Sequence, residues 1–529
     1  MKFKKLKNIL NYTEEQKSIA SVNLRAGEIV KVKAFAGTGK TTTLRALAEA
    51  NPQKKMLYIA FNSSVAKEAR KKFPFNVECR TSHSLAYAEF GYSYKNKLSS
   101  TVRPHEIMKL LNIDSYGYAN YLIGVVKKFC ASDDNDINEN HLIVTEESAE
   151  EYKLRKRKEE KDVDLIIDQA KTLWKLMIDK NSAIPTIHDI YLKLYQLSKP
   201  KLDNKYDVLL LDEAQDTTPC VMDIFKNQNC CRVLVGDDHQ NIYTFRGAKN
   251  ALTFSANTEK YLRQSFRFGQ VIADAANDIL ILKKEKEKII GTQKKSVINR
   301  VDVKKPFAIL SRTNGYLFDE AVKHLHIKGK FGFIGTYAKD NYSPLNAYKF
   351  QSILDIYFLS TNNKFSIKNQ YIKSFNHYGE FLKTVNDPDA PDIELKSCLN
   401  IVQRYGASIP NLITEICKKC VDPKNAFIKF STAHKAKGME FDQVKLTDDY
   451  LILVESVELD EGAQKVFDTA SGTVKEERKC SRINKLAPDL EEKEEEINLL
   501  YVAITRAKRV LELNDKTREY FKYIKNKSE

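Results

Sequence analysis

The chain of 529 residues has few cysteines and no long apolar run. Its 9 cysteines follow no regular spacing, which favours a reducing compartment over a disulfide-stabilised secreted protein. No segment approaches the roughly 18 consecutive apolar residues of a membrane-spanning helix, and the basic N-terminus MKFKKLKNIL lacks the apolar stretch of a secretory signal. We therefore expect a soluble intracellular protein with no membrane partner, in the cytoplasm of a prokaryote or in the nucleus or viral factory of a eukaryotic host.

Metal clusters are not indicated either, because Cys417 and Cys420 form a lone CxxC without a second pair. Basic residues do stand out, with 86 Lys and Arg against 70 Asp and Glu and a net charge of +16. Such an excess suits a polyanionic partner. A lysine-rich proteome would produce the same excess, so charge alone does not identify the partner.

Residues 31–43 read KVKAFAGTGKTTT, a short apolar strand running into a Gly-Thr-Gly-Lys-Thr loop and a helical pattern. Two glycines let the backbone curl so that its N–H groups point at phosphates, at the positive end of a helix dipole. Lys40 would reach the β- and γ-phosphates and the Thr41 hydroxyl would ligate Mg²⁺. Ala34 stands where the general pattern has its first glycine. The loop residues expected to contact the triphosphate are Ala36, Gly37, Thr38, Gly39, Lys40, Thr41 and Thr42.

A second half of the site is indicated at 207–216, DVLLLDEAQD, whose apolar residues 208–211 predict a buried parallel strand. The carboxyl end of such a strand is where open α/β sheets place their ligands. Asp212 would hold Mg²⁺, and Glu213 would polarise the water that attacks the γ-phosphate. An isolated Asp-Glu pair is a weak signal, but the phosphate loop upstream strengthens it.

Apolar strand patterns recur at 29–35, 56–61, 231–240, 306–314 and 427–438, and two helical stretches interrupt them. The pattern predicts an α/β fold with two cores of parallel strands, each carrying a mainly helical insertion. The expected segments are a first core at 1–90 and 205–260 with an insertion at 91–204, and a second core at 261–334 and 421–529 with an insertion at 335–420.

Nine strings occur in an order that makes a family resemblance specific. They are YTEEQ, AFAGTGKTTT, YIAFNSS, TSHSLA, LLLDEAQD, VGDDHQNIYTFRGA, QSFRFG, STAHKAKGMEFDQV and YVAITRAK. The set resembles superfamily 1 DNA helicases of the UvrD/Rep type, and within them the F-box DNA helicase family, although no F-box is visible. The resemblance implies two RecA-like P-loop cores, with ATP and Mg²⁺ bound in the cleft between them.

The resemblance also implies residue roles at the nucleotide. Gln16 matches a glutamine that reads adenine, and Phe266 matches an aromatic residue that stacks on it. Arg267 and Arg506 match two arginines that contact the γ-phosphate, as arginine fingers do. Gln240 matches a residue that senses the γ-phosphate, and Glu440 matches a contact to the nucleotide sugar. The family commonly has an arginine near the position of Thr42, which leaves that contact open.

Other motif positions match contacts to single-stranded DNA in the family. An aromatic side chain beside an arginine suits this task because stacking on a base does not depend on sequence. Phe245 replaces the tryptophan usual in the wider group, and ordinary core packing is the alternative role of a phenylalanine there. The expected DNA contacts are Phe61, Asn62, Ser82, His83, Tyr243, Phe245, Arg246, His434 and Lys435.

Three hypotheses follow from these motifs. The first is a DNA-dependent ATPase that moves 3′ to 5′ on single-stranded DNA and unwinds duplex in repair, recombination or replication; the direction rests on the resemblance alone. The second is a translocase that strips proteins such as recombinase filaments with little unwinding. The third, a nucleotide switch without translocation, is disfavoured by the full set of hydrolytic residues. We expect a monomer whose partners are single-stranded DNA, single-strand/duplex junctions, and candidate recombinase or repair proteins.

Overall fold

The structure is a computed structural model that describes residues 12–99, 102–113, 116–142, 149–244, 247–292, 294–386, 393–468, 473–488, 490 and 493–528. The chain divides into two compact units. Unit 1 comprises the described residues up to Phe266, and unit 2 comprises those from Arg267 onward. Among the described residues, no helix is both long enough and apolar enough to cross a membrane.

Unit 1 is built from parallel strands and flanking helices. Its strands are β1 (Ile29–Ala34), β2 (Met56–Ala60), β3 (Val77–Thr81), β4 (Val208–Leu211), β5 (Cys231–Gly236) and β6 (Thr258–Leu262). Its helices are α1 (Glu14–Ala20), α2 (Lys40–Ala50), α3 (Ser63–Lys72), α4 (Ser82–Glu89), α5 (Pro104–Leu111), α6 (Tyr116–Ala131), α7 (Ala149–Ile178), α8 (His188–Leu197) and α9 (Pro219–Lys226). A further strand, β7 (Gln264–Gly269), leads from unit 1 into unit 2.

The six strands of unit 1 form one parallel sheet in the order β3-β2-β4-β5-β1-β6. The neighbouring strands β2, β4 and β5 are buried at every position, as expected for parallel strands covered by helices on both faces of the sheet. Alternate residues supply two separate clusters, with Ile59 and Leu211 in one and Tyr58 and Leu210 in the other. Because β1 and β4 are separated only by β5, their carboxyl ends meet at one edge of the sheet, where the phosphate loop and DEAQD begin.

The described elements between residues 91 and 204 are helical and have a hydrophobic cluster of their own. Ile107, Leu122, Phe129 and Leu173 are among its buried members. The helical character predicted for this segment is therefore present, while the boundaries at 90/91 and 204/205 stay a prediction.

Unit 2 repeats the parallel α/β plan. Its strands are β8 (Ile290–Thr292), β9 (Val297–Ile298), β10 (Phe307–Ser311), β11 (Phe331–Phe333), β12 (Ile428–Thr432), β13 (Phe441–Leu446), β14 (Val454–Asp468), β15 (Thr473–Leu486) and β16 (Ala507–Glu512). Its helices are α10 (Gln270–Ile281), α11 (Asn314–Lys323), α12 (Pro344–Ala347), α13 (Phe350–Ser360), α14 (Gln370–Ser374), α15 (Tyr378–Val385), α16 (Ile393–Tyr405), α17 (Ile409–Lys419), α18 (Ala433–Ala436), α19 (Glu494–Ile504) and α20 (Asp515–Ser528).

Six strands of unit 2 form a parallel sheet in the order β11-β12-β10-β13-β16-β9. With two six-stranded parallel sheets flanked by helices, the predicted fold class is confirmed. The antiparallel hairpin of β14 and β15 was not anticipated, because the charged sequence around it lacks a clear alternation of apolar residues.

The helices between residues 335 and 420 share a single core with the sheet of unit 2. One cluster of buried residues contains Ile309 and Phe430 from the strands together with Ile353, Ile401 and Ile413 from the helices. The segment therefore packs as part of unit 2, and its boundaries at 334/335 and 420/421 stay a prediction.

Candidate functional site

The phosphate-binding loop of unit 1 joins β1 to α2 and has the backbone that its glycines permit. Gly37 and Gly39 have φ of 76° and 79°, in the left-handed region that residues with a Cβ rarely enter. The Thr38 hydroxyl donates to the Phe35 carbonyl (2.8 Å) and closes the loop. Gly39 is the N-cap of α2 and brings no side chain to its first turn. The loop thus presents the amino end of a helix, the arrangement that binds phosphate.

Lys40 lies directly opposite the two carboxylates at the end of β4. Its Nζ is 2.6 Å from Glu213 Oε2, and the Thr41 hydroxyl donates to Asp212 Oδ2 (3.3 Å). Burial works against the charged ammonium, but the nearby carboxylates, chiefly Glu213 and Asp212, outweigh it and raise the pKa of Lys40. The ammonium therefore stays charged, as a phosphate-binding group must.

Asp212 is held by groups from two neighbouring strands. Its Oδ2 accepts a hydrogen bond from the Tyr58 hydroxyl (2.6 Å), and its Oδ1 accepts one from the Glu213 backbone N–H (2.9 Å). Burial and the adjacent Glu213 charge raise the pKa of Asp212, while Lys40 opposes the shift. Glu213 itself has φ of 52°, a left-handed conformation uncommon outside glycine and typical of strained functional positions.

A chain of amide and carboxylate groups connects the ends of β4 and β5. Gln215 is fully buried; its Nε2 donates to Glu213 Oε2 (2.8 Å), and its Oε1 accepts from the Asp237 N–H (3.0 Å). Gln240 Nε2 donates in turn to Asp237 Oδ2 (2.7 Å). A Cβ on Gly236 would lie 2.3 Å from Gln215 Oε1, so only glycine leaves room for this chain. Gln240 is thereby linked to Glu213 through two intermediate residues.

Two residues expected at the base, Gln16 and Phe266, converge on the other side of the loop. Gln16 is buried, and its Nε2 donates to the Thr43 hydroxyl (3.3 Å). The Phe266 N–H donates to the Gly37 carbonyl (2.9 Å), and its ring is 43% exposed. A Cβ on Gly39 would lie 3.1 Å from Gln16 Nε2 and 3.6 Å from the Phe266 ring, so both side chains border the loop. A buried amide beside an exposed ring is suited to a planar base.

Two further loop positions differ in exposure. Ala36 is buried, whereas Thr42 is exposed in the first turn of α2.

In unit 2, the two predicted arginines meet around Thr505. Arg267 donates through Nη1 to the Thr505 carbonyl (3.0 Å) and through Nε to Glu440 Oε2 (3.1 Å). Arg506 is 1% exposed; its Nη2 donates to the Thr505 hydroxyl (3.2 Å) and its Nε to the Val502 carbonyl (3.0 Å). Motifs far apart in sequence, QSFRFG, KGMEF and YVAITRAK, are thus assembled into one polar cluster within this unit.

The expected DNA contacts of unit 1 include a stacked aromatic pair. The rings of Phe61 and Tyr243 lie 6.0 Å apart and 12° from parallel, and Phe61 is 44% exposed. Asn62 caps α3, its Oδ1 accepting from the Val65 N–H (2.9 Å). Phe245 and Arg246 lie outside the described residues.

Ser82 and His83 open α4, the helix that follows β3. His83 Nε2 lies 3.1 Å from Asp189 Oδ1, and the ring meets Tyr191 edge-on at 6.1 Å. The imidazole is therefore held in place from α8.

The expected DNA contacts of unit 2 lie on α18, at the carboxyl end of β12. His434 is half-buried. Lys435 donates to the Ala347 carbonyl, with its Nζ 3.8 Å from the centre of the Tyr348 ring. Desolvation, with the nearby positive charge of Lys349, lowers the pKa of Lys435 to about 8 against the pull of Glu394.

Sequence reasoning did not single out Tyr58, Gln215, Asp237 or Thr505. Gln215 and Asp237 stand inside strings that were singled out, DEAQD and GDDHQ, so their motifs were a usable signal. Tyr58 and Thr505 also stand inside such strings, YIAFNSS and YVAITRAK, but only the pairing of β2 with β4 brings Tyr58 beside Asp212.

Two family models match the chain. Residues 12–261 match the UvrD/REP helicase N-terminal domain family, and residues 180–515 match the UvrD-like helicase C-terminal domain family. The chain is 33% identical to F-box DNA helicase 1 of Gallus gallus, over 94% of this chain and 48% of the relative. It is 32% identical to F-box DNA helicase protein 1 of Schizosaccharomyces pombe, over 96% of this chain and 58% of the relative. The chain thus spans about half the length of the curated relatives it matches.

A shorter similarity extends to a bacterial protein. DNA helicase IV of Escherichia coli is 28% identical over 27% of this chain and 23% of its own.

Proposed function

Since the chain belongs to the UvrD-like helicase family, we propose that it is an ATP-driven motor that moves 3′ to 5′ along single-stranded DNA and separates duplex. The observation that carries the proposal is the cluster in unit 1, where Lys40 lies 2.6 Å from Glu213 and Thr41 lies 3.3 Å from Asp212. The cluster combines a cation that can bind phosphate, a carboxylate that can orient the attacking water and a second carboxylate that can bind a metal. Triphosphate hydrolysis needs these three groups. The strand polarity is carried over from the family.

The oxygen donors of Thr41 and Asp212 fit Mg²⁺, which prefers hydroxyl, carboxylate and phosphate oxygens and keeps several waters. Among the described residues, no group of three or more His, Cys, Asp or Glu side chains could hold a metal by itself. This agrees with an ion held partly by the substrate's phosphates. When bound, Mg²⁺ would neutralise charge on those phosphates.

The residues near the bound phosphates would have separate tasks during hydrolysis. Glu213 accepts hydrogen bonds from both Lys40 and Gln215. Once phosphates compete for the Lys40 ammonium, Glu213 is released to orient water, and Gln215 keeps the carboxylate in position. We assign charge neutralisation on the transferred phosphoryl group to Arg267 and Arg506. Gln240 would report the state of the γ-phosphate through Asp237 and Gln215.

The proposed DNA contacts combine stacking with charge. Phe61 and Tyr243 offer aromatic surface, and Lys435 offers a cation, which together hold single strands without sequence preference. We propose single-stranded DNA and its junctions with duplex as the partners of a monomeric protein acting in repair, recombination or replication.

The test measures ATP turnover with and without single-stranded DNA for the parent, Lys40→Ala and Glu213→Gln. We expect DNA to stimulate the parent and both variants to lose turnover. Glu213→Gln should still bind ATP because it keeps Lys40 and the loop, whereas Lys40→Ala should bind it weakly. A parent whose turnover ignores DNA would refute the motor proposal.

A strand-displacement assay beside a filament-removal assay decides how the motor is used. Removal of a recombinase filament without strand displacement would replace duplex separation by protein stripping as the main activity.

A further inference from the structure

The most exposed large apolar side chain of the described residues belongs to Phe365, which is 96% exposed. It lies in the connection between α13 and α14 of unit 2, at residues 361–369, here called the Phe365 loop. None of the helicase motifs includes it. An isolated exposed apolar residue is ordinary on a protein surface. A functional role therefore requires that the surrounding loop hold Phe365 in its exposed position.

The backbone of the Phe365 loop is fixed at both ends. The Asn363 N–H donates to the Phe358 carbonyl (2.8 Å) and the Ser366 N–H to the Asn363 carbonyl (3.2 Å). Asp355, fully buried in α13, accepts hydrogen bonds from the N–H groups of Lys368 (3.2 Å) and Asn369 (2.8 Å).

Apolar anchors flank the exposed ring on its C-terminal side. Ile367 is 3% exposed and Ile372 is completely buried, and both belong to the core cluster that includes the sheet of unit 2. Phe365 therefore projects from a braced loop. Because the loop backbone is already fixed, little backbone entropy is lost when Phe365 binds a partner.

The charge around Phe365 has one sign. Residues 361–376 read TNNKFSIKNQYIKSFN, with three lysines and no acidic residue. Lys368 and Lys373 are exposed and Lys364 is half-buried. Within the described part of the chain, none of the three forms an ion pair with a carboxylate. Asp355, which lies under the loop, is occupied by its N–H groups.

We propose that the Phe365 loop is a DNA contact of unit 2, in which Phe365 stacks on a base while the neighbouring lysines neutralise adjacent phosphates. An exposed ring among unpaired cations matches the two recognition elements of a nucleic-acid strand, a π face and a phosphate. If the partner were an apolar pocket of a protein, the residues around Phe365 would be expected to be apolar instead of basic. The base is either unpaired or the terminal pair of a duplex, since both expose a face. The inference rests on the proposed DNA motor.

The test compares Phe365→Ala and Phe365→Trp with the parent. Phe75→Ala is the matched control, because Phe75 is 93% exposed and belongs to unit 1. The probes are a single-stranded oligonucleotide and a fork with a 3′ tail. Each carries one 2-aminopurine, placed along the oligonucleotide or in the terminal base pair of the fork. The readouts are the dissociation constant and the quenching of 2-aminopurine fluorescence.

We expect Phe365→Ala to weaken binding about tenfold, as loss of one base stack does, and to abolish part of the quenching. Phe365→Trp should retain both, and Phe75→Ala should match the parent. A loss on both probes identifies an unpaired base, and a loss on the fork alone identifies the terminal pair.

Equal affinities of Phe365→Ala and Phe75→Ala on both probes would overturn the proposal. That outcome is distinct from failure of the motor, which shows in the parent as ATP turnover that DNA does not stimulate. Melting temperatures of the variants, expected to equal that of the parent because the side chain is exposed, exclude unfolding as the cause.

Discussion

At the residue scale, the carboxylate of Asp212 shows how the site is assembled from parts that are distant in sequence. A tyrosine from β2, a threonine from α2 and the next backbone N–H all donate to it. Only 4% of Asp212 is exposed, so each of these bonds is made in a low-dielectric environment where an unpaired partner is costly. Its orientation is thus decided by its neighbours.

Tyr58→Phe tests this orientation, since it removes only the hydroxyl that donates to Asp212 at 2.6 Å. A hydrogen bond to a charged group contributes about 1.5 to 3 kcal/mol, so we expect the free energy of unfolding to fall by that amount. We also expect the Mg²⁺ concentration for half-maximal ATP turnover to rise several-fold.

Tyr94→Phe is the control for Tyr58→Phe. Tyr94 is also buried, and its hydroxyl donates to the Ile178 carbonyl (2.8 Å) and not to Asp212 or Glu213. It should lose stability without a change in Mg²⁺ dependence. Identical Mg²⁺ titrations for Tyr58→Phe and the parent would contradict a positioning role.

A second prediction at this scale concerns Lys435, whose pKa is lowered to about 8. The ammonium is charged below that pH and neutral above it, so its attraction for phosphate is present at pH 7 and lost as pH rises through 8. We expect affinity for single-stranded DNA, measured by fluorescence anisotropy, to fall several-fold between pH 7 and 9. In Lys435→Arg the guanidinium stays charged, and the fall should be smaller. Parallel pH profiles for the two proteins would contradict this role.

At the scale of single elements, α3 combines a structural cap with an expected DNA contact in one residue. Asn62 ends the turn after β2, and its Oδ1 accepts from the Val65 N–H (2.9 Å) and the Ser64 hydroxyl (2.7 Å). Its exposure leaves the amide accessible to a ligand. Two substitutions separate these roles, because aspartate caps helices as well as asparagine does and alanine does not.

Asn62→Ala should lower the free energy of unfolding by about 1 kcal/mol, the usual cost of a lost N-cap. Asn62→Asp should keep the stability, since the carboxylate also suits the helix dipole, but weaken binding of single-stranded DNA several-fold by repelling phosphate. Chemical denaturation and anisotropy titrations measure the two effects. If Asn62→Asp binds DNA as tightly as the parent, Asn62 does not lie near the strand.

At the scale of the whole molecule, the net charge of +16 favours binding to a polyanionic partner. Part of this excess positive charge lies at the motif positions and in the Phe365 loop, where we propose that DNA binds. Neutralising phosphates releases counterions, so affinity for DNA should fall with salt.

Raising monovalent salt from about 50 to 200 mM should weaken binding of single-stranded DNA roughly 100-fold if about five phosphates are neutralised. The slope of log affinity against log salt measures that number. Lys435→Ala should make the slope shallower by about 0.7, the value of one contact. A slope near zero would show that the positive charge does not serve DNA binding.

The two units illustrate how far sequence patterns reach. Continuous apolar strands of both sheets were predictable, because a strand buried on two faces has few other compositions. The hairpin of β14 and β15 was not predictable, since the charged sequence of its strands lacks a clear alternation of apolar residues. The shared core of unit 2 was not predictable either. Ile353 and Ile413 join Phe430 in one buried cluster only in the folded chain.

By itself, the sequence determined the family, the α/β class and the motif residues at the carboxyl ends of β1, β4 and β5. These follow from local chemistry: left-handed glycines, a lysine at a helix start, and carboxylates after an apolar run. Tertiary structure alone decided that Tyr58 and Gln215 hold the two carboxylates, that Thr505 joins Arg267 to Arg506, and that Phe365 projects from a braced loop. The reason is physical: strand order and loop packing bring together residues whose contacts leave no trace in the spacing along the chain.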